Sequence, residues 1–286
     1  MSRLDVRKTY KLYVNGAFPR SESGRVYEVC DRKGHFIANA ALASRKDARD
    51  AVVAARNAFK GWSHATAYLR GQIVYRIAEV MESRRPQLVT DIMVSEGLTE
   101  ARAHKVLDAS IDRIVWYAGW ADKLPSVLGN ANAISGPFFN FSVPEPSGVV
   151  VVLAPQDSSL LGLVSTVIPI IVSGNTCVVV SSHAQPLPAI TWAECLATSD
   201  VPGGVINILT GDAHELAPWL ASHKDVDGID LTGADAELAR DLERAASGTL
   251  QRFSRPDIDE DWTQRPNLRR LSRFIETKTV WHPIGV

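Results

Sequence analysis

Few residues in this 286-residue sequence could carry covalent or acid–base chemistry. The most suggestive stretch is LAPQDSSLLGL, Leu153 to Leu163, which follows the apolar run GVVVV and leads into another apolar segment. Strand, turn and helix in that order make the corner where a doubly wound α/β protein places its chemistry or its cofactor. Gln156, Asp157, Ser158 and Ser159 fill this corner, with no glycine fingerprint and no evident nucleophile. The three cysteines, Cys30, Cys177 and Cys195, show neither CxxC pairing nor metal-ligand spacing. Thiol chemistry requires an accessible thiolate beside a base. Cys177 falls inside an apolar strand-like run and Cys195 inside a helix-like one, so both read as inert core residues, and Cys30 is read the same way. The residues therefore nominate no catalytic group and no metal site.

The elements that would position such groups follow from patterning. Hydrophobic residues make up 45% of the chain and charged ones 22%, with a formal net charge of −1. That balance is ordinary for a soluble globular protein and gives no electrostatic reason to expect nucleic acid or an anionic membrane as partner. No window approaches a bilayer-spanning length, and the first residues lack the apolar core of a signal peptide. With a sparse, odd cysteine set, a cytoplasmic location is the expectation.

YKLYVNGAFPR turns at Asn15-Gly16 as a hairpin. Three helices follow. The first is capped at Ser44 with Asp47 closing a capping box and carries Ala48, Val52, Ala55 and Phe59 on one face. The second begins near Thr66 and is broken or restarted at Pro86. The third starts after Thr99, with Val106, Ile114 and Tyr117 on its stripe. FFNFSVPEP, Phe138 to Pro146, alternates like an exposed strand, and its prolines place it on an edge. From Gly148 the rhythm changes to apolar strands alternating with helices: GVVVVLA, TCVVVS, GVINIL, VDGIDLTG and a possible fifth in LQRFS. That alternation means a parallel sheet covered on both faces, a Rossmann-like doubly wound α/β layer. RPDIDEDWTQRPNLRR then reads as an irregular surface connector, and FIETKTVWHPIGV ends in a β-prone run.

The order of motifs resembles the aldehyde dehydrogenase family. YVNGAF, AVVAARNAFKGW, RIAEVMESRR, WYAGWADKL, VPEPSGVV, the Ala-Pro turn, GNTCVVV, PLPA, VPGGVINILTG, HKDVDGIDLTG and ETKTVWHP all occur in the family's order, covering roughly residues 10 to 254 and the last dozen or so. The resemblance implies an N-terminal hairpin and helical layer over 1–137, an oligomerisation strand over 138–147 and the Rossmann-like layer over 148–254. A linker over 255–272 would replace the catalytic domain, and a C-terminal oligomerisation strand over 273–286 would complete a small antiparallel sheet.

The family's working parts are altered. Its Pro-Trp-Asn, whose Asn helps hold the oxyanion of the thiohemiacetal, is here Pro155, Gln156 and Asp157. An ionised Asp accepts only; as a plain structural residue it would cap the following helix. The family's ribose-binding Lys-Pro-Ser-Glu is in register with Val180, Ser181, Ser182 and His183. Valine cannot bond a hydroxyl, and His183 reads as a solvated loop histidine without a partner. Gly211 and the phosphate turn with Gly233 and Ala234 complete the vestigial cofactor positions, but Asp235 and Glu237 put carboxylates where a pyrophosphate would meet the helix N-terminus, and Leu238 stands in place of the second glycine. The general-base register falls near Pro256, and no cysteine follows Cys195. Tight binding of NAD or NADP is not expected, at most weak binding.

What survives is the assembly sheet, with Phe139, Phe141, Val143, Lys278, Val280 and Trp281 as its candidate interface. An exposed strand edge and apolar patch of this kind call for a cover, although the tail could also simply pair with its own chain. The resemblance thus implies a family subunit, inactive alone, that assembles with a full-length aldehyde dehydrogenase or with itself. The alternative is an NAD(P)-dependent aldehyde oxidoreductase component whose nucleophilic cysteine comes from another chain.

Overall fold

A computed structural model describes residues 8–255 and 260–284; the general-base register at Pro256 lies outside them. The chain opens with β1 (Thr9–Tyr10) and a tight hairpin at Asn15-Gly16. Both turn residues have left-handed φ, 52° and 75°, and Val14 bridges Ala17, as Asn-Gly favours in a two-residue turn. β2 (Val26–Cys30) and β3 (Phe36–Ala41) complete a three-stranded sheet ordered β1-β3-β2.

The helical layer is α1 (Arg45–His64), α2 (Ala67–Ser83), α3 (Arg85–Glu96), α4 (Glu100–Ala118) and the short α5 (Leu124–Leu128). Their starts follow local sequence chemistry. Ser44 and Asp47 form a reciprocal capping box, Thr66 accepts from the Leu69 amide, and Pro86 sits in the first turn of α3, where its missing N–H costs nothing.

β4 (Asn130–Asn132) and β5 (Phe138–Pro146) lead into the Rossmann-like layer. Its elements are β6 (Val149–Leu153), α6 (Leu161–Val172), β7 (Thr176–Val180), α7 (Leu187–Leu196), β8 (Ile206–Leu209), α8 (Ala213–Ala221), β9 (Gly228–Asp230), α9 (Ala236–Ala245) and β10 (Arg252–Ser254). All pairs in this sheet are parallel, in the order β10-β9-β6-β7-β8. Successive side chains of a strand point to opposite faces, and both faces are buried here. Val150, Val152, Cys177, Val179, Ile206 and Ile208 join the core under α2, α3, α4, α6 and α7. Val149, Val151, Leu153, Val178, Val180 and Leu209 join the core under α1 and α8. Strands buried on both sides read as unbroken apolar runs. The N-terminal hairpin closes the β8 edge through reciprocal Tyr13–Ile208 backbone bonds.

Two expectations need correction. FFNFSVPEP is not an edge strand: β5 is the centre of a second small sheet, ordered β11-β5-β4, with β11 running over Ile275–Pro283. β4 reaches only Asn140 to Ser142, so neither Pro144 nor Pro146 faces a β4 partner, and a central strand can carry both. The charged connector is also more than a surface loop. It contains α10 (Arg269–Ser272), and Leu271 and Phe274 are buried in the core. A Cβ on Gly228 would come within 2.7 Å of the Phe274 ring. Two buried arginines pin this strap. Arg113 of α4 donates to Ser165 Oγ at 2.9 Å and to the carbonyls of Trp262 and Gln264 at 2.7 and 2.6 Å. Arg270 pairs with Glu260 at 2.6 Å and Asp230 at 3.7 Å, and lies 5.0 Å from the Trp262 ring centre.

Candidate functional site: the carboxyl edge of the parallel sheet

The chain reverses its build-out direction between β6 and β9, so the crevice beyond their carboxyl ends is the place for a ligand. The turn after β6 is held from below. Glu96, buried at the end of α3, accepts from the Ser159 amide at 2.8 Å and from its hydroxyl at 2.6 Å. Ser158 Oγ accepts from the Gly162 amide at 2.9 Å. Asp157 caps nothing: it points outward, and Ser158 does the work expected of it. Pro155 is buried, and a Cβ on Gly162 would come within 2.9 Å of its ring, which accounts for a glycine there.

Gln156 ties two turns together. Its Nε2 donates to the Ala154 carbonyl at 2.8 Å, its Oε1 accepts from the His183 amide at 3.1 Å, and its carbonyl accepts from Ser182 Oγ at 3.1 Å. Val180 is buried in β7 and offers no polar atom beyond its backbone. His183 is exposed but not without a partner, which corrects the sequence expectation. Its ring stacks on Tyr27 with centroids 4.5 Å apart and planes at 11°, and the Tyr27 hydroxyl donates to its carbonyl at 3.1 Å. Gly211, with φ 145°, lies beyond β8, two strands from β6, against Ala43.

The turn after β9 closes on the sheet. The Gly233 amide donates to the Leu153 carbonyl at 2.8 Å, and a Cβ there would overlap the Ala154 carbonyl oxygen. The Ala234 amide donates to Leu231 at 2.9 Å. In the first turn of α9, the Glu237 and Leu238 amides are taken by the Asp235 carboxylate at 3.0 and 2.8 Å. Those amides, the Leu238 one foremost, hold the Asp235 carboxyl below the usual range, with His214 adding at 3.4 Å. A helix N-terminus attracts anions through just such amides; here the chain's own carboxylate occupies them.

Cys177 and Cys195 are buried. Burial pushes the Cys195 thiol up to about 12 and Cys177 higher still. Cys30, expected in the core, is instead exposed at the end of β2. Among the described residues, no three His, Cys, Asp or Glu side chains converge as a metal would require, and no helix is long and apolar enough to cross a membrane.

The small sheet gathers the residues expected to form an interface and sorts them by face. Cross-strand pairs Phe141–Val280, Val143–Lys278 and Phe139–His282 lie on one face, with Lys278 bonded to Glu145 at 3.0 Å. The other face carries Asn132, Asn140, Ser142 and Thr279, joined by side-chain hydrogen bonds. Trp281 lies on this second face, edge-on to Phe138 at 5.8 Å, and so does not share a surface with Phe139 and Phe141. Phe139 and Trp281 are 52% and 58% exposed.

Glu96, Tyr27 and the Arg113–Arg270 pair carry no signal in the sequence; each acts on a residue distant along the chain.

The aldehyde dehydrogenase family profile matches residues 18–255. The chain belongs to the aldehyde dehydrogenase family. It is 31% identical over 238 residues to a D-glyceraldehyde dehydrogenase (NADP(+)) of Thermoplasma acidophilum, covering 83% of this chain and 48% of that one. Cytosolic aldehyde dehydrogenase 1 of Elephantulus edwardii matches at 31% over 249 residues, covering 85% and 49%. Among solved structures, a putative aldehyde dehydrogenase from Burkholderia cenocepacia superposes with a TM-score of 0.81 at 28% identity, over 86% of this chain and 50% of the other. This chain thus spans about half the length of these aldehyde dehydrogenases, with the family match ending where β10 gives way to the strap.

Proposed function

We propose that this chain is a non-catalytic aldehyde dehydrogenase subunit that assembles, through its small antiparallel sheet, with a complete member of the family. The observation that carries the reading is a contrast: the β11-β5-β4 sheet is built and presents exposed aromatic side chains, while Cys177 and Cys195 are buried and the exposed Cys30 makes no side-chain bond to a base among the described residues. Oxidising an aldehyde through a thiohemiacetal requires an accessible thiolate beside a base. Cys177 and Cys195 are held as neutral thiols inside the core, and between β10 and β11 the chain supplies the strap, which contains no cysteine. Asp235 on the α9 amides, together with the Gly233–Leu153 bond, supports weak or no retention of NAD or NADP. Covering the half-exposed Phe139 by a partner would gain about 1 kcal/mol, roughly half the value for burying a fully exposed large apolar side chain.

The test is co-expression with a full-length relative, followed by co-purification and native mass measurement. A stable heteromer is expected. Failure to co-purify, with this chain a stable monomer, overturns the reading. Turnover of an aldehyde by this chain alone, lost when a cysteine is replaced, would overturn it more directly.

A further inference from the structure

A second concave surface lies between α2 and α4, away from the carboxyl edge of the parallel sheet. Its cavity, about 830 Å³, is lined by Tyr68, Leu69 and Tyr75 of α2 and by Val115 and Gly119 at the end of α4. Ligand pockets of small molecules fall in this size range and are mostly apolar with a few polar groups. The two helices cross closely at Gly71, where a Cβ would come within 3.0 Å of the Ala118 carbonyl oxygen, and the groove is shaped by that crossing. Tyr68, Leu69, Tyr75 and Val115 are all exposed, a concentration of large apolar side chains that isolated surface residues do not make.

The charges around the groove do not cancel. Arg76 is paired with Glu79 at 3.1 Å, and Lys123 with Asp122 at 2.9 Å while also donating to the Gly119 carbonyl. Asp200, the remaining charged residue of the lining, makes no side-chain bond or ion pair among the described residues, and its backbone is held in the left-handed region at φ 61°. Both cations are thus committed and one carboxylate is left over. Tyrosine ring faces add to this bias, because their quadrupoles attract cations.

We propose that the α2–α4 groove binds a small organic cation with an aromatic body. The body lies against Tyr68, Tyr75 and Val115, and the ammonium is drawn to Asp200. The inference is independent of the subunit reading above, since none of these residues lies on the small sheet or the carboxyl edge.

Benzylammonium is the probe, titrated calorimetrically into the purified full chain, with benzyl alcohol and benzoate as neutral and anionic counterparts of the same shape. Benzylammonium should bind at least tenfold more tightly than either. Asp200→Asn, which keeps a side chain tolerant of left-handed backbone, should weaken it three- to tenfold, and Tyr75→Ala by a similar factor, with unchanged thermal midpoints because both residues are exposed. Equal binding of all three probes, or an Asp200→Asn variant indistinguishable from wild type, overturns the proposal. So does self-association of the chain that Tyr75→Ala abolishes, which would make the groove a protein contact instead.

Discussion

Replacing Arg270 by Met removes the charge that pins the strap while keeping most of the stem that packs there. The Arg270 guanidinium is only 8% exposed, pairs with Glu260 and faces the almost wholly buried Asp230. Asp230 would keep its bonds from the Thr232 amide and hydroxyl, but no cation would face its second oxygen. Leaving one partner of a buried pair uncompensated costs about 3–5 kcal/mol. At about 2–4 °C per kcal/mol for chains approaching this size, the thermal midpoint should fall on the order of 10 °C. Releasing the strap also uncovers Leu271 and Phe274, so protease sensitivity within 260–274 should rise in step. Circular dichroism melts of wild type, Arg270→Met, Asp230→Asn and the double variant close a cycle. The double variant should recover at least half of the loss, since Asn retains an acceptor for Thr232 and carries no charge to strand. An Arg270→Met protein melting within about 3 °C of wild type, or a double variant no better than the single ones, would refute the account of the strap as an electrostatically pinned cover.

Native protein treated with a thiol reagent at pH 8 should be labelled at Cys30 alone, with Cys177 and Cys195 reacting only on unfolding; mass spectrometry of the digested adducts reads this out. Phe139→Ser should abolish the proposed heteromer while shifting the melting midpoint by less than about 2 °C, because the side chain is half exposed in the single chain; native mass spectrometry and melting separate the two effects. Asp91 is a buried carboxyl whose pKa burial raises, against the bonds donated by Thr191 and Tyr10. A folded-state pKa above the unfolded one stabilises at low pH and loses that contribution as pH rises through the folded value. The stability of wild type relative to Asp91→Asn should therefore fall as pH rises above the ordinary aspartate range, as denaturation at several pH values will show; a constant difference would contradict the direction.

What the sequence made legible is what is local. The Asn15-Gly16 turn, the Ser44–Asp47 box, the restart at Pro86 and the apolar strands of the parallel sheet are each decided within a few residues, and the structure shows all of them. The strap was opaque because its anchors are not local: Arg113 reaches Trp262 across 149 positions, and nothing in a charged, proline-bearing run announces a buried arginine. The corner after β6 was legible as strand, turn and helix, yet its cap was misassigned to Asp157. The residue that fixes the corner, Glu96, lies 63 positions before Ser159 on another helix. Cys30 was misplaced because a thiol in an alternating strand can face either way, and β2 turns it outward. The prolines of β5 suggested an edge for a sound reason, but how far a neighbouring strand extends cannot be read from the strand itself.

The hydrogen-bonded row running from Asn132 through Asn140 and Ser142 to Thr279 works as a zipper with one permitted alignment. Sliding β11 by a single position along β5 would rotate Val280 into that polar row and turn Thr279 toward the phenylalanines; sliding it by two would part Lys278 from Glu145 and Ser142 from Thr279. The small sheet therefore has one length and one pitch, and any molecule that docks on it meets the same orientation every time.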